Sequence, residues 1–316
     1  MGNASGSGNS ASAARVRLAL LGAGWSVAKA LPESAARGLA DRGADRMTRR
    51  DGPAVQQLRK NLRRVLGPEA GSDQLEDTVA RGVRSYARYW IESLRLTRED
   101  APRVIANTAS DTWPIADAAR ARGRGLIAVL THSSNWDAYS LLWSSRYRSP
   151  VVTVAERLEP PAVFARFLAH RASLGMEVLP LTGGERPVAQ VLAERLRANG
   201  LVCLLADRDL LGNGLPVTMF GEPTTIPPGP AMLAATTGAA LLPMNGSFTE
   251  RGWRMDFEPE IDLPTEGRLR DRVAAATQAM AGAFERGIAA HPEDWHMLQP
   301  IWTADRTTQV TAGAAR

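Results

Sequence analysis

The chain has 316 residues, 44% hydrophobic and 22% charged, proportions of a folded globular protein that exclude a disordered, collagen-like or coiled-coil chain. The 38 Lys and Arg outnumber the 33 Asp and Glu by five, and all the basic residues except Lys29 and Lys60 are arginine. Genomic base composition favours arginine too, but the balance suits a phosphate-rich partner: nucleic acid, anionic lipid or a nucleotide-bearing substrate. The single cysteine, Cys203, excludes an intrachain disulfide and a cysteine-rich metal site.

Residues 1–14 are small and polar and read as a disordered start. Residues 15–100 read as a helical, membrane-associating region. Within 15–47, Leu18, Leu21, Val27 and Leu31 alternate with Arg15, Arg17 and Lys29, and Pro32 divides the stretch into two short helices. A basic amphipathic helix can lie in the lipid interface, although the same pattern serves a helix packed on its own domain. Residues 53–95 carry helical periodicity at Val55, Leu58, Leu62 and Val65, and again at Val79, Val83, Trp90 and Leu94, with the intervening arginines expected on solvated faces. No run reaches the roughly 18 apolar residues of a spanning helix, and no cleavage-like signal follows the start. The expected location is therefore peripheral, on the cytoplasmic face of the membrane.

From Gly125 the pattern changes. GLIAVL, PVVTVAE, MEVLPL, LVCLLAD, ALLPMN and WRMDFEPEID read as strands, with helical stretches at 161–175, 187–200, 229–238 and 268–289. This alternation predicts an α/β fold, a mixed, mostly parallel sheet flanked by helices. Residues 101–303 form that core, packed with the N-terminal helices as one domain, and 304–316 form a flexible tail.

Active sites in such sheets gather where loops leave the carboxyl ends of strands. The first strong strand ends in Thr131-His132-Ser133-Ser134-Asn135-Trp136-Asp137. If this loop enters a helix, the Asp137 carboxylate comes within reach of one His132 nitrogen and leaves the other free to take a proton, which is half of a triad. A satisfied loop histidine is the plainer alternative. Ser133 and Ser134 lack a G-x-S-x-G elbow, and His170, His291 and His296 form no metal-ligand pattern with His132, so no metal is expected.

The H-x-x-x-x-D of His132 and Asp137 resembles the first motif of membrane-associated acyltransferases, and T-H-S-S-N-W-D is similar to the form in the lipid A late acyltransferases and their actinobacterial relatives. Ala155-Glu156-Arg157-Leu158, Arg171 in F-L-A-H-R-A-S-L-G, Ala206-Asp207-Arg208-Asp209, the Phe220–Pro243 block and Glu293-Asp294-Trp295-His296 with Trp302 follow in the family's order. The resemblance spans about residues 20–303. It implies transfer of a long-chain acyl group, such as palmitoyl, from acyl-CoA to the 6-hydroxyl of a mannose on phosphatidylinositol mannosides, with His132 as general base, Asp137 as its orienter and no cofactor besides the acyl-CoA co-substrate.

The resemblance further implies that Asp207 lies beside the catalytic histidine, where it assists the base or binds the acceptor, or else pairs with Arg208 or Arg157. Glu156 and Arg171 fall near the acceptor or oxyanion region, or pair with each other. Arg208, Asn135 and Trp136 complete the expected substrate-binding set. The implied partners are acyl-CoA, a glycolipid acceptor and an anionic membrane surface. Alternatives are another acceptor, such as a lipid A-like glycolipid or a lysophospholipid, or a non-enzyme that binds membrane or nucleic acid through its arginines. Because no nucleic-acid reader motif is present and the basic residues are not striped, nucleic acid is not expected as a partner.

Overall fold

A computed structural model describes residues 29–157 and 160–306. The expected disordered start, the amphipathic segment before residue 29 and the tail beyond 306 lie outside the described residues. Pro32 precedes helix α1 (Glu33–Arg50), and α2 (Pro53–Leu66) and α3 (Ser72–Arg95) follow. The break between α2 and α3 falls at Gly67, whose φ of 79° suits a residue without a Cβ. Val55, Leu58, Leu62, Leu75, Val79 and Val83 bury the facing stripes of α2 and α3 in a cluster of their own.

The arginines on these helices are more tethered than solvated faces would be. Arg88 reaches Glu92 at 2.7 Å and the carbonyls of Thr249 and Gly252, both at 2.9 Å. Arg64 joins Glu222 and Asp305, each at 2.8 Å. The second contact also fixes residues 304–306, assigned from sequence to the flexible tail, against α2.

Beyond α4 (Ala101–Ala106) come β1 (Thr108–Ala109), α5 (Trp113–Ala121), β2 (Leu126–Leu130), α6 (Trp136–Tyr147), β3 (Val151–Ala155), α7 (Pro161–Ser173), β4 (Met176–Pro180), α8 (Val188–Arg197) and β5 (Leu201–Leu205). The chain then makes β6 (Leu215–Met219), β7 (Glu222–Ile226), α9 (Gly229–Thr237), β8 (Ala240–Phe248), β9 (Trp253–Phe257) and α10 (Leu269–Ala290). Seven strands form one sheet in the order β1-β9-β8-β2-β5-β3-β4, parallel throughout except for β8 against β9. The fold is α/β with a mostly parallel mixed sheet flanked by helices.

Alternate residues of β2 enter opposite cores, as the period of a strand requires. Ile127 and Val129 pack among α8, α9 and α10. Leu126, Ala128 and Leu130 pack among α4, α5 and α6. The β6–β7 hairpin forms a separate two-stranded antiparallel sheet that is not among the strands expected from sequence. Its turn is Phe220-Gly221, with φ of 50° and 73°, the pair of positive values a tight hairpin turn needs. Among the described residues no helix is long and apolar enough to cross a membrane.

Candidate active site

Strand β2 lies in the middle of the sheet, and its carboxyl end delivers Thr131–Asn135 into a loop that closes on α6. Asn135 starts that helix. Its carboxamide oxygen accepts the Ala138 N–H at 3.1 Å and the Ser93 hydroxyl at 3.2 Å, and its amide donates to Glu92 at 3.1 Å. Asn135 is fully buried, so it is a helix cap rather than the substrate ligand expected from sequence.

The loop is clamped from the other side by residues 294–296. The Ser134 N–H donates to the Asp294 carbonyl at 3.0 Å, the His296 N–H donates to the His132 carbonyl at 2.8 Å, and Ser133 and Trp295 form an antiparallel bridge. These two backbone hydrogen bonds allow Ser134 to hold a φ of 55°, a value that costs energy for a residue with a Cβ.

His132 pairs with Asp207 and not, as expected from sequence, with Asp137. His132 Nδ1 lies 2.6 Å from Oδ1 of Asp207, and the backbone N–H of His132 donates to Oδ2 of the same carboxylate at 2.9 Å. Asp207 follows β5, the parallel neighbour of β2, so the pairing crosses 75 residues of sequence. A third donor, the indole N–H of Trp295, reaches Oδ2 at 2.9 Å. Burial alone pushes the Asp207 carboxyl up, but the adjacent His132 and these donors outweigh it and hold the group below its ordinary value. Asp207 therefore pairs with neither Arg208 nor Arg157. Because Nδ1 donates to a carboxylate, the lone pair is left on Nε2, which has no hydrogen-bond partner among the described residues. The side chain is 26% exposed.

Asp137 takes another partner. Its Oδ1 accepts from Arg171 Nε at 3.0 Å, and its Oδ2 lies 3.4 Å from the Tyr89 hydroxyl. Arg171 pairs with Asp137 rather than Glu156, and both charges are largely buried. They border a small cavity of about 30 Å³ together with Cys203 and Trp136. Burial pushes the Cys203 thiol up to about 12, which leaves it protonated and unfit as a nucleophile. One ring of Trp136 packs against Tyr89, with centroids 4.0 Å apart, and His132 meets it edge-on at 5.6 Å. Packing thus occupies much of the surface of Trp136, which the family likeness placed in the substrate-binding set.

Past the ends of β3 and β5 opens an apolar cleft of about 300 Å³. Leu192, Leu204, Ala206 and Leu233 line it, and Glu156 and Arg208 stand among its polar groups. Glu156 is exposed and Arg208 half-buried. Leu210, Leu211 and Met232, three of the exposed large hydrophobic residues, also belong to this cleft. The Asp209 carboxylate holds the loop carrying the two leucines by accepting the Gly212 and Gly214 N–H groups, each at 2.9 Å.

Sequence reasoning gave no individual role to Trp295, Tyr89, Asp294 or His296. His296 is buried among Tyr86, Tyr89, Trp136 and Phe248. Its Nε2 lies 2.9 Å from the Ser85 hydroxyl, which is also 2.7 Å from Asp294. Burial, with the neighbouring His132, depresses the His296 imidazole to about 3, whereas burial pushes the Asp294 carboxyl up.

A mostly parallel sheet with a histidine–carboxylate pair at its carboxyl end and an apolar cleft alongside is the arrangement of an enzyme acting on a lipid-like substrate. Residues 10–304 match the family described as bacterial lipid A biosynthesis acyltransferase, and the chain belongs to that family. It is similar to proteins named phosphatidylinositol mannoside acyltransferase. Those of two Mycobacterium tuberculosis strains are 48% identical over 287 and 292 residues, covering 90% of this chain and 87% of theirs. That of Mycolicibacterium smegmatis is 45% identical over 287 residues, covering 90% of each. Membership sets aside the non-enzyme alternative.

Proposed function

We propose that the chain transfers a long-chain acyl group from acyl-CoA to a mannose hydroxyl, the 6-hydroxyl, of phosphatidylinositol mannosides, with His132 as general base. The observation that carries this reading is the His132–Asp207 pair, which leaves the Nε2 lone pair free on a partly exposed ring. The hydroxyl oxygen attacks the thioester carbonyl carbon while Nε2 takes its proton. When the tetrahedral intermediate collapses, the C–S bond breaks and the imidazolium returns that proton to the thiolate. Asp207 holds the ring and offsets its positive charge in the intermediate, and no acyl-enzyme is needed.

The 300 Å³ cleft suits an acyl chain, and Arg208, with no ion pair among the described residues, suits a phosphate or the developing oxyanion. Leu210 and Leu211, held outward beside that arginine, fit a peripheral position on an anionic cytoplasmic leaflet from which amphiphilic substrates enter. The names of the relatives favour the mannoside acceptor over a lysophospholipid or another glycolipid.

The test is incubation of the purified protein with labelled palmitoyl-CoA and phosphatidylinositol dimannoside in vesicles. Labelled acylated product is expected, with at least about a 10²-fold loss of rate in His132→Ala. Undiminished turnover in that variant contradicts the mechanism, and product from lysophosphatidic acid alone replaces the acceptor.

A further inference from the structure

The Asp207 carboxylate is oriented as well as orienting. Its Oδ1 faces His132 Nδ1, but nothing in a bare carboxylate prevents rotation about χ2 from exchanging the two oxygens or tilting their plane. Two N–H groups converge on Oδ2: the backbone of His132 itself and the indole of Trp295. The first moves with the loop, whereas the second comes from a separate segment. That segment is fixed to the rest of the molecule at several points. Asp294 accepts the Phe248 N–H from the end of β8 at 2.7 Å and the Ser85 hydroxyl from α3 at 2.7 Å. The Trp295 ring is fully buried and meets Trp302 edge-on, with centroids 6.0 Å apart at 87°. Trp302 is in turn anchored by its own N–H on the Met219 carbonyl at 3.1 Å. The indole therefore has one orientation, and its single donor is directed at Asp207.

We propose that Trp295 is a positioning residue for the base: its N–H locks the plane of the Asp207 carboxylate, which fixes the His132 ring with its lone pair on Nε2, and it draws off part of the carboxylate's charge. This rests on the reading of His132 as general base. The groups facing that imidazole are Asp207 at the end of β5 and His296 on the 294–296 segment, the latter kept neutral by burial. Trp136 meets it edge-on from α6, and the charges of Asp137 and Arg171 are spent on each other. Removing the indole donor returns the full carboxylate charge to the imidazole, which then keeps its proton to higher pH.

The experiment compares the full-length wild type, Trp295→Phe, Trp302→Phe and His132→Ala by the pH dependence of kcat and kcat/KM in the acyl-transfer assay. A hydrogen bond to a charged group is worth about one decade of rate. Trp295→Phe is accordingly expected to lower kcat about tenfold, leave KM for the acyl donor within about twofold, and move the acid limb of kcat/KM up by roughly half a pH unit. Trp302→Phe, which loses a comparable ring-nitrogen bond to a backbone carbonyl, leaves the acid limb in place.

A wild-type limb in Trp295→Phe overturns the proposal, as does a kcat loss matched by Trp302→Phe with neither limb displaced, because packing alone then accounts for the residue. If Trp295→Phe does not fold, 3-benzothienylalanine at position 295, which replaces only the N–H by sulfur, is read against the same outcomes. Full turnover in His132→Ala removes the underlying reading as well. Loss of activity there beside a wild-type profile in Trp295→Phe removes only the role of Trp295.

Discussion

Two buried aspartates flank the motif loop, and they are used differently. Asp207 at the end of β5 accepts three N–H donors, two from His132 and one from Trp295, and the His132 ring remains partly open. Asp137 at the start of α6 has a guanidinium and a phenol, and its ion pair borders a small cavity. The first carboxylate holds a group that can exchange protons with a substrate. The second holds a permanently charged group and ties α6 to α7 and α3. Nearness in sequence to the histidine therefore does not decide which acid orients it, since the parallel pairing of β2 with β5 brings the distant one closer.

Breaking the Asp207 side should have the largest effect. Asp207→Asn, measured by turnover on protein shown to be folded by circular dichroism, is expected to lose about 10²–10⁴ in kcat, because an amide can stabilise the wrong imidazole tautomer. Breaking the Asp137 side should be read in stability first. Arg171→Leu strands a buried carboxylate, and denaturant unfolding is expected to show a loss of about 3–5 kcal/mol. Joint replacement of Asp137 and Arg171 by leucine should recover most of it. Failure to recover would mean that the pair does more than neutralise itself.

The third expectation concerns His296, which shares the clamp on the loop. Its folded-state value of about 3 lies below the ordinary 6.5 of an unfolded histidine, so the unfolded chain binds more protons between these limits. Stability should therefore be full above pH 6.5 and fall on acidification, by at most about 1.4 kcal/mol per pH unit from this group. Urea midpoints compared at pH 7 and pH 5 check this, and His296→Phe should flatten the difference. The smallest effect is expected at the cap. Asn135→Ala should cost about 1 kcal/mol or somewhat more in thermal or urea unfolding.

The fold was legible in the sequence where strands are buried on both faces. Residues such as Leu126–Leu130 and Leu201–Leu205 are continuous apolar runs, and every strand expected from 125 to 257 is present. The β6–β7 hairpin was not legible, because Pro216 and Pro223 argue against strands and the turn needs Phe220 at positive φ. His132 stood out through its place after a strand. Its partner did not, since periodicity and spacing say nothing of which strands are neighbours, and only the family likeness drew attention to Asp207. Asn135 was read as a substrate ligand because polar residues beside a motif invite that reading, and Arg171 because the family likeness placed it near the acceptor or paired with Glu156. Their burial against Glu92, Ser93 and Asp137 is a tertiary fact.

The most direct measurement is the side-chain nitrogen spectrum of the protein carrying ¹⁵N-labelled histidine, with His132 assigned by its loss in His132→Ala. The neutral ring is expected to carry its proton on Nδ1 and leave Nε2 bare, and to lose that preference in Asp207→Asn. A proton resident on Nε2 in the wild type, or a spectrum indifferent to Asp207→Asn, would contradict this expectation.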